Sequence, residues 1–210
     1  MKSSSGLIDI SPPISPDLAV WPGDVSFSRE IALNMKSGDN LTLSSIRTTV
    51  HLGAHTDAPN HYLKDGEDIA SRSLDLYFGL CQVIFVDVER GSRISEDDFK
   101  DVIKAERVLV GTGTYPNPHQ FNEDFASFSP GAISYLYDCG VRLIGIDTPS
   151  IDLCDDQELL SHRAVAERDM GVLEGVVLEG VRAGLYQLIA LPLKIVGADA
   201  SPVRAVLCPL

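Results

Sequence analysis

Three of the five histidines in this 210-residue chain fall inside one short segment, His51-Leu52-Gly53-Ala54-His55-Thr56-Asp57-Ala58-Pro59-Asn60-His61. No other stretch limits the fold so tightly. A helix would place His51 and His55 on one face, but Gly53 and Pro59 oppose a continuous helix, and Pro59 biases Ala58 toward extended geometry. In an extended segment His55 and Asp57, two residues apart, project to the same side. The segment therefore reads as a strand end running into a loop, where several imidazoles can converge on one point. Imidazole nitrogens with a carboxylate suit a borderline cation, zinc first, with manganese or iron as competitors. Asp57 has two oxygens and could bridge two ions. The competing reading is a set of histidines satisfied by backbone groups; a cluster that includes an aspartate favours ligation.

Several short runs around this segment read as strands: Leu7–Ile10, Val83–Val88, Val108–Val110, Leu143–Ile146 and Leu188–Leu191. Their near-continuous apolar character predicts strands covered on both faces. Leu41–Val50 mixes apolar residues with Ser, Thr and Arg, and reads as a half-exposed strand. A helix is expected from the cap Ser95 through Phe99, Val102 and Ile103. A second should start at Ser129-Pro130 and end before Gly140, with Ile133, Leu136 and Tyr137 on one face. A third covers part of Asp156–Arg168. Strand outweighs helix and the two do not alternate regularly, so the chain reads as a mixed α/β domain rather than a doubly wound sheet.

With 44% hydrophobic and 22% charged residues, the chain can bury a core, and residues 1–210 fit one domain. The net charge of −13 argues against nucleic acid and against an anionic membrane surface. Met1-Lys2-Ser3-Ser4-Ser5 precedes no apolar run suited to a signal peptide, and no segment approaches a membrane span, so a cytoplasmic protein is expected. Cys81, Cys139, Cys154 and Cys208 form no CxxC pair and read as free, buried packing residues of a reducing compartment. His119, in a Pro/Asn-rich loop, reads as a surface residue. Trp21, the only tryptophan, precedes the Pro22-Gly23 turn and could face either the core or a pocket. His162 by itself reads as a solvent-facing residue on a helix. Glu174 sits within the apolar run Val172-Leu173 to Val176-Val177-Leu178, where a buried acid needs a partner such as a cation.

The histidine segment resembles the HxGxHxDxPxH signature of the cyclase-like metal hydrolases, and within them the bacterial kynurenine formamidase branch. The likeness runs through Leu7-Ile8-Asp9-Ile10-Ser11, Trp21-Pro22-Gly23-Asp24, Gly145-Ile146-Asp147-Thr148-Pro149-Ser150, Leu191-Pro192-Leu193-Lys194-Ile195 and Gly197-Ala198-Asp199. Thr112–His119 departs from the pattern, which bears on substrate detail rather than chemistry. The resemblance implies a swivelling β/β/α domain with a mixed sheet and few helices, assembled as a homodimer. It implies His51, His55 and Asp57 as ligands of a first metal, Asp57 bridging to a second, and His162 and Glu174 completing the set, with Glu174 also bridging. It further implies His61 as general acid/base, Trp21 at the substrate pocket and zinc, two ions per subunit, with manganese as the alternative.

The activity so implied is hydrolysis of N-formyl-L-kynurenine to L-kynurenine and formate in tryptophan breakdown. A rival within the same class is hydrolysis of another small cyclic or aryl amide, such as isatin. From other classes come a non-haem iron oxygenase built on the His55-x-Asp57 pair and a non-catalytic metal-binding module. The additional ligands speak against the first, since an oxygenase triad needs open positions. His61 beside the ligands speaks against the second.

Overall fold

The computed structural model describes residues 6–210, so the reading of Met1–Ser5 lies outside it. In chain order the strands are β1 (Ile8–Asp9), β2 (Ser28–Leu33), β3 (Leu43–Arg47), β4 (His55–Asp57), β5 (Phe78–Phe85), β6 (Arg93–Ile94) and β7 (Arg107–Gly111). They continue with β8 (Ser127–Phe128), β9 (Leu143–Ile146), β10 (Gly171–Leu173), β11 (Gly184–Ile189), β12 (Ala200–Pro202) and β13 (Val206–Pro209). Two α-helices accompany them, α1 (Pro130–Asp138) and α2 (Leu160–Ala166).

Seven strands form one mixed sheet in the order β1-β13-β11-β5-β7-β9-β10. The half from β1 to β5 is antiparallel, and the half from β5 to β10 is parallel. The parallel half explains the apolar runs, because helices and loops cover both of its faces. Along β7, Val108 and Val110 pack on one side with Ile144, Ile133 of α1 and Val165 of α2. Leu109 points to the other side, into a cluster with Leu143, Leu173, Leu188 and Tyr77. A mixed sheet with two helices is the fold class expected from the resemblance.

Helix α1 forms as anticipated. Ser129 Oγ accepts from Ala132 N at 3.0 Å, Pro130 occupies the first turn, and Gly140 leaves in a left-handed conformation (φ 96°). The helix expected after Ser95 does not extend beyond one 3-10 turn, Glu96–Asp98. The Asp98 carboxylate folds back on Ser95 N at 2.7 Å, and the chain then becomes extended at Phe99 (φ −85°, ψ 92°). That exit seats Phe99 in the core, stacked on Tyr135 with ring centroids 5.8 Å apart. Tertiary packing overrides the local start signal.

Three further expectations need correction. Within Leu41–Val50, predicted as half-exposed, the strand is β3 over Leu43–Arg47, exposed at every residue and hairpinned to β2, which is exposed except at Leu33, while Thr49 is buried. Of the four free cysteines only Cys81 is buried; Cys139 caps α1 at the surface, and Cys154 and Cys208 are half-buried. The strand read as Val83–Val88 starts upstream, at Phe78, and ends at Phe85. Among the described residues no helix is long and apolar enough to cross a membrane.

Candidate metal centre

The histidine segment adopts the strand-to-loop form that Gly53 and Pro59 impose. Strand β4 covers His55–Asp57 and passes into a 3-10 turn over Pro59–His61. One edge of β4 pairs with β12, with Asp57 opposite Ala200 and His55 opposite Pro202. On its other edge His55 N donates to Glu174 O at 3.1 Å, and Glu174 N donates to His55 O at 2.9 Å. This exchange brings residues 55 and 174 side by side. The approach requires Gly175: it has φ 66°, and a Cβ there would lie 2.2 Å from Gly53 O. Strand alternation sends Thr56 away from the centre, where its hydroxyl donates to Val172 O at 2.5 Å, and leaves His55 and Asp57 facing inward.

The inward groups meet closely. His55 Nε2 lies 3.1 Å from Glu174 Oε2 and 3.5 Å from Asp57 Oδ1. His162 Nε2, carried by α2, lies 3.3 Å from Asp57 Oδ2 and 3.6 Å from Glu174 Oε1. His51 Nδ1 lies 3.1 Å from Asp57 Oδ1. His61 is set back at the rim: its ring centroid is 4.3 Å from that of His51, and its side chain is 33% exposed. Candidate donor atoms of His51, Asp57 and His61 lie within 4.8 Å of one another, as do those of His55, Asp57 and Glu174. Asp57 belongs to both groups, the placement a bridging carboxylate needs.

Each of the three inward imidazoles has its other nitrogen engaged by an oxygen. His55 Nδ1 meets Gly53 O at 2.9 Å, His162 Nδ1 meets Asp152 Oδ2 at 2.8 Å, and His51 Nε2 meets Asp199 Oδ2 at 3.0 Å. Such partners fix ring orientation and leave the free nitrogen for a cation. Asp57 Oδ1 is buried, yet finds no donor in hydrogen-bonding geometry among the described residues; the nearby rings approach it without the needed alignment. A buried, unsatisfied carboxylate oxygen is costly unless something positive meets it. The donor set fits a divalent metal with nitrogen and oxygen ligands.

The electrostatics agree. Burial works against the His51 imidazolium, but Asp57 and Asp199 overcome it and raise its pKa to about 9. Burial likewise opposes charge on His162, and Asp152 and Asp57 raise it to about 10. Burial opposes ionisation of Asp57, and His162 and His51 nonetheless hold its carboxyl well below the usual range. Without a metal, protons on the imidazoles supply the positive charge that the carboxylates demand.

The centre forms the floor of a cavity of about 1200 Å³. Trp21 lines it and contacts Phe121 edge-to-face, with centroids 5.4 Å apart. Tyr115 and Phe85 add to the apolar wall, and His119 lies exposed at the lining. The volume far exceeds what a formyl group occupies and leaves room for an aryl amino acid. His162 is buried, not solvent-facing as its local sequence suggests. Three residues of the site were missed from sequence: Asp152 and Asp199, which hold His162 and His51, and Tyr62, whose ring lies 5.1 Å from that of His162. Asp199 lies in the Gly197-Ala198-Asp199 segment that carries the resemblance; Asp152 had no local signal.

Fold and site together define a cyclase-like metal-dependent hydrolase, and the chain belongs to the Cyclase family, whose model matches residues 8–153. It is 42% identical over 203 residues to the kynurenine formamidase of Bordetella avium (strain 197N), a match covering 96% of this chain and 97% of that one. Among solved structures, the predicted metal-dependent hydrolase from Bacillus stearothermophilus superposes with a TM-score of 0.81 at 28% identity, covering 96% of this chain and 97% of that one. Isatin hydrolase A from Labrenzia aggregata shares the fold, with a TM-score of 0.79 at 20% identity over 96% of this chain and 92% of its own.

Proposed function

We propose that this chain hydrolyses N-formyl-L-kynurenine to L-kynurenine and formate. The observation that carries the reading is the convergence of His51, His55, His162 and Glu174 around Asp57, whose Oδ1 is buried without a hydrogen-bond donor, with His61 beside them at the rim. The likeness to a named kynurenine formamidase over nearly the whole chain directs it to this substrate.

In this reading His51, His55, Asp57, His162 and Glu174 would hold two zinc ions, with Asp57 and Glu174 shared between them, and manganese is the alternative ion. The metal, when bound, supplies Lewis acidity and lowers the pKa of water toward about 7. The chain supplies the rest. An aryl-amide nitrogen leaves poorly unless protonated, and His61 is the nearby group able to deliver that proton without giving up a ligand position. Asp199 Oδ2, 3.5 Å from His61 Nδ1, faces the other side of the imidazole. The indole of Trp21 forms a wall against the aryl ring of the substrate. Overall, water adds across the C–N bond: its oxygen joins the formyl carbon, and its protons end on the amine and in solution.

A homodimer working in the cytoplasm completes the proposal. The decisive assay pairs metal analysis of the purified protein with formate release from N-formylkynurenine. Zinc-containing protein with kcat/KM well above that for isatin supports the reading. Preference for isatin, or protein that gains no metal and releases no formate, overturns it.

A further inference from the structure

The loop after β9 grips two of the candidate ligands at once. Ile151 N donates to Glu174 Oε1 at 2.7 Å, and the next residue, Asp152, accepts His162 Nδ1–H at 2.8 Å. Asp152 is fully buried and is approached only by donors: Ser161 N at 2.9 Å, His162 N at 3.0 Å and Arg93 Nη1 at 2.9 Å complete the set. No amide could serve here, because its NH2 would face a donor whichever way it turned.

Arg93 anchors the carboxylate to the rest of the fold. From β6 it also donates to Phe128 O on β8 at 2.7 Å and to Ser161 Oγ at 3.0 Å, and it pairs with Asp156. Asp156 in turn accepts from Glu158 N at 2.8 Å and Leu159 N at 3.2 Å, closing the connection into α2 through a left-handed Leu159 (φ 52°). A non-glycine residue in that region is strained, and it persists only where its surroundings hold it. Here the result is that Nε2 of His162 faces Asp57 and Glu174 rather than solvent.

We infer that Asp152 is a positioning residue of the metal centre: held by Arg93, it fixes the ring orientation of His162 and turns Nε2 toward the cation. The inference rests on the ligand role proposed above for His162. Outer carboxylates of this kind are worth about 10–100-fold in metal affinity.

The test measures zinc affinity by chelator competition for Asp152→Asn, both in the wild-type background and combined with His162→Ala. The expected result is a loss of about 10–100-fold in the first background and almost none in the second, since the residue acts through the imidazole. An equal loss in both backgrounds marks a merely structural role and overturns the inference, as does unchanged affinity in both. Should Asp152→Asn fail to fold, Arg93→Lys leaves the carboxylate in place but loosens its anchor, and the same His162-dependent loss, several-fold smaller, is expected. A His162→Ala protein that binds zinc as tightly as wild type would sink the ligand assignment itself, and the inference with it; a loss in His162→Ala without one in Asp152→Asn sinks the inference alone.

Discussion

Asp57 is the one oxygen donor shared by both groups of candidate ligands, so its removal should be the most damaging change at the site. Asp57→Ala is expected to remove bound metal and activity together, read by elemental analysis and formate release. His61→Ala should behave differently: metal content stays near wild type while turnover falls at least ~100-fold, the usual range for a lost acid/base group. Loss of all metal in that variant would make His61 a ligand instead. Proton competition gives a third expectation. His51 and His162, raised to about 9 and about 10, bind protons in the metal-free protein at neutral pH. Zinc must displace those protons, so its apparent affinity should rise with pH, by up to about tenfold per unit for each proton released, and chelator competition at several pH values reads this. The same raised values mean that both imidazoles stabilise the metal-free fold fully below pH ~6.5, a contribution lost as pH climbs through 9 to 10. At this scale the sequence was legible where residues cluster. His51, His55, Asp57 and His61 announce themselves by proximity, whereas His162 and Glu174 lie in other elements and were reached through the family signature. Asp152 is one among 30 acidic residues, and nothing local distinguishes it as a carboxylate that will meet an imidazole across the fold.

Among the elements, β4 does most to build the centre, although only three residues belong to it. It is held on one edge by β12 and on the other by the chain at Glu174, and the second contact depends on Gly175. Gly175→Ala introduces a Cβ 2.2 Å from Gly53 O at a positive φ, so it should destabilise the protein by at least ~1 kcal/mol and weaken zinc binding by parting His55 from Glu174. Urea unfolding and zinc titration measure the two effects, and a variant as stable as wild type would contradict this account of the contact. The buried strands and α1 could be read in advance because apolar runs and caps are local signals. The helix expected after Ser95 could not be judged locally, because Phe99 was drawn instead into a pocket made by α1. The bareness of β3 was equally hidden: its mixture of apolar and polar residues suggests a strand, but not what lies opposite.

At the scale of the whole molecule, β2 and β3 pair only with each other among the described residues. Ile31, Leu43 and Ile46 stand 47%, 53% and 66% exposed, and an isolated two-stranded hairpin is at best marginally stable in water. If the homodimer proposed above forms through this hairpin, the second copy covers it. Ile46→Glu should then shift the protein toward monomer in light scattering after size exclusion, whereas an unchanged mass would place the contact elsewhere. The sheet has another consequence, for biosynthesis. Strand β12 completes the edge of β4 and Asp199 holds His51, so these supports of the ligands are translated long after His51 and His55. A growing polypeptide still on the ribosome holds the first imidazoles but lacks their counterparts. A metal using the proposed ligands therefore finds the full set only after Glu174 has been synthesised and β12 has closed the edge of β4.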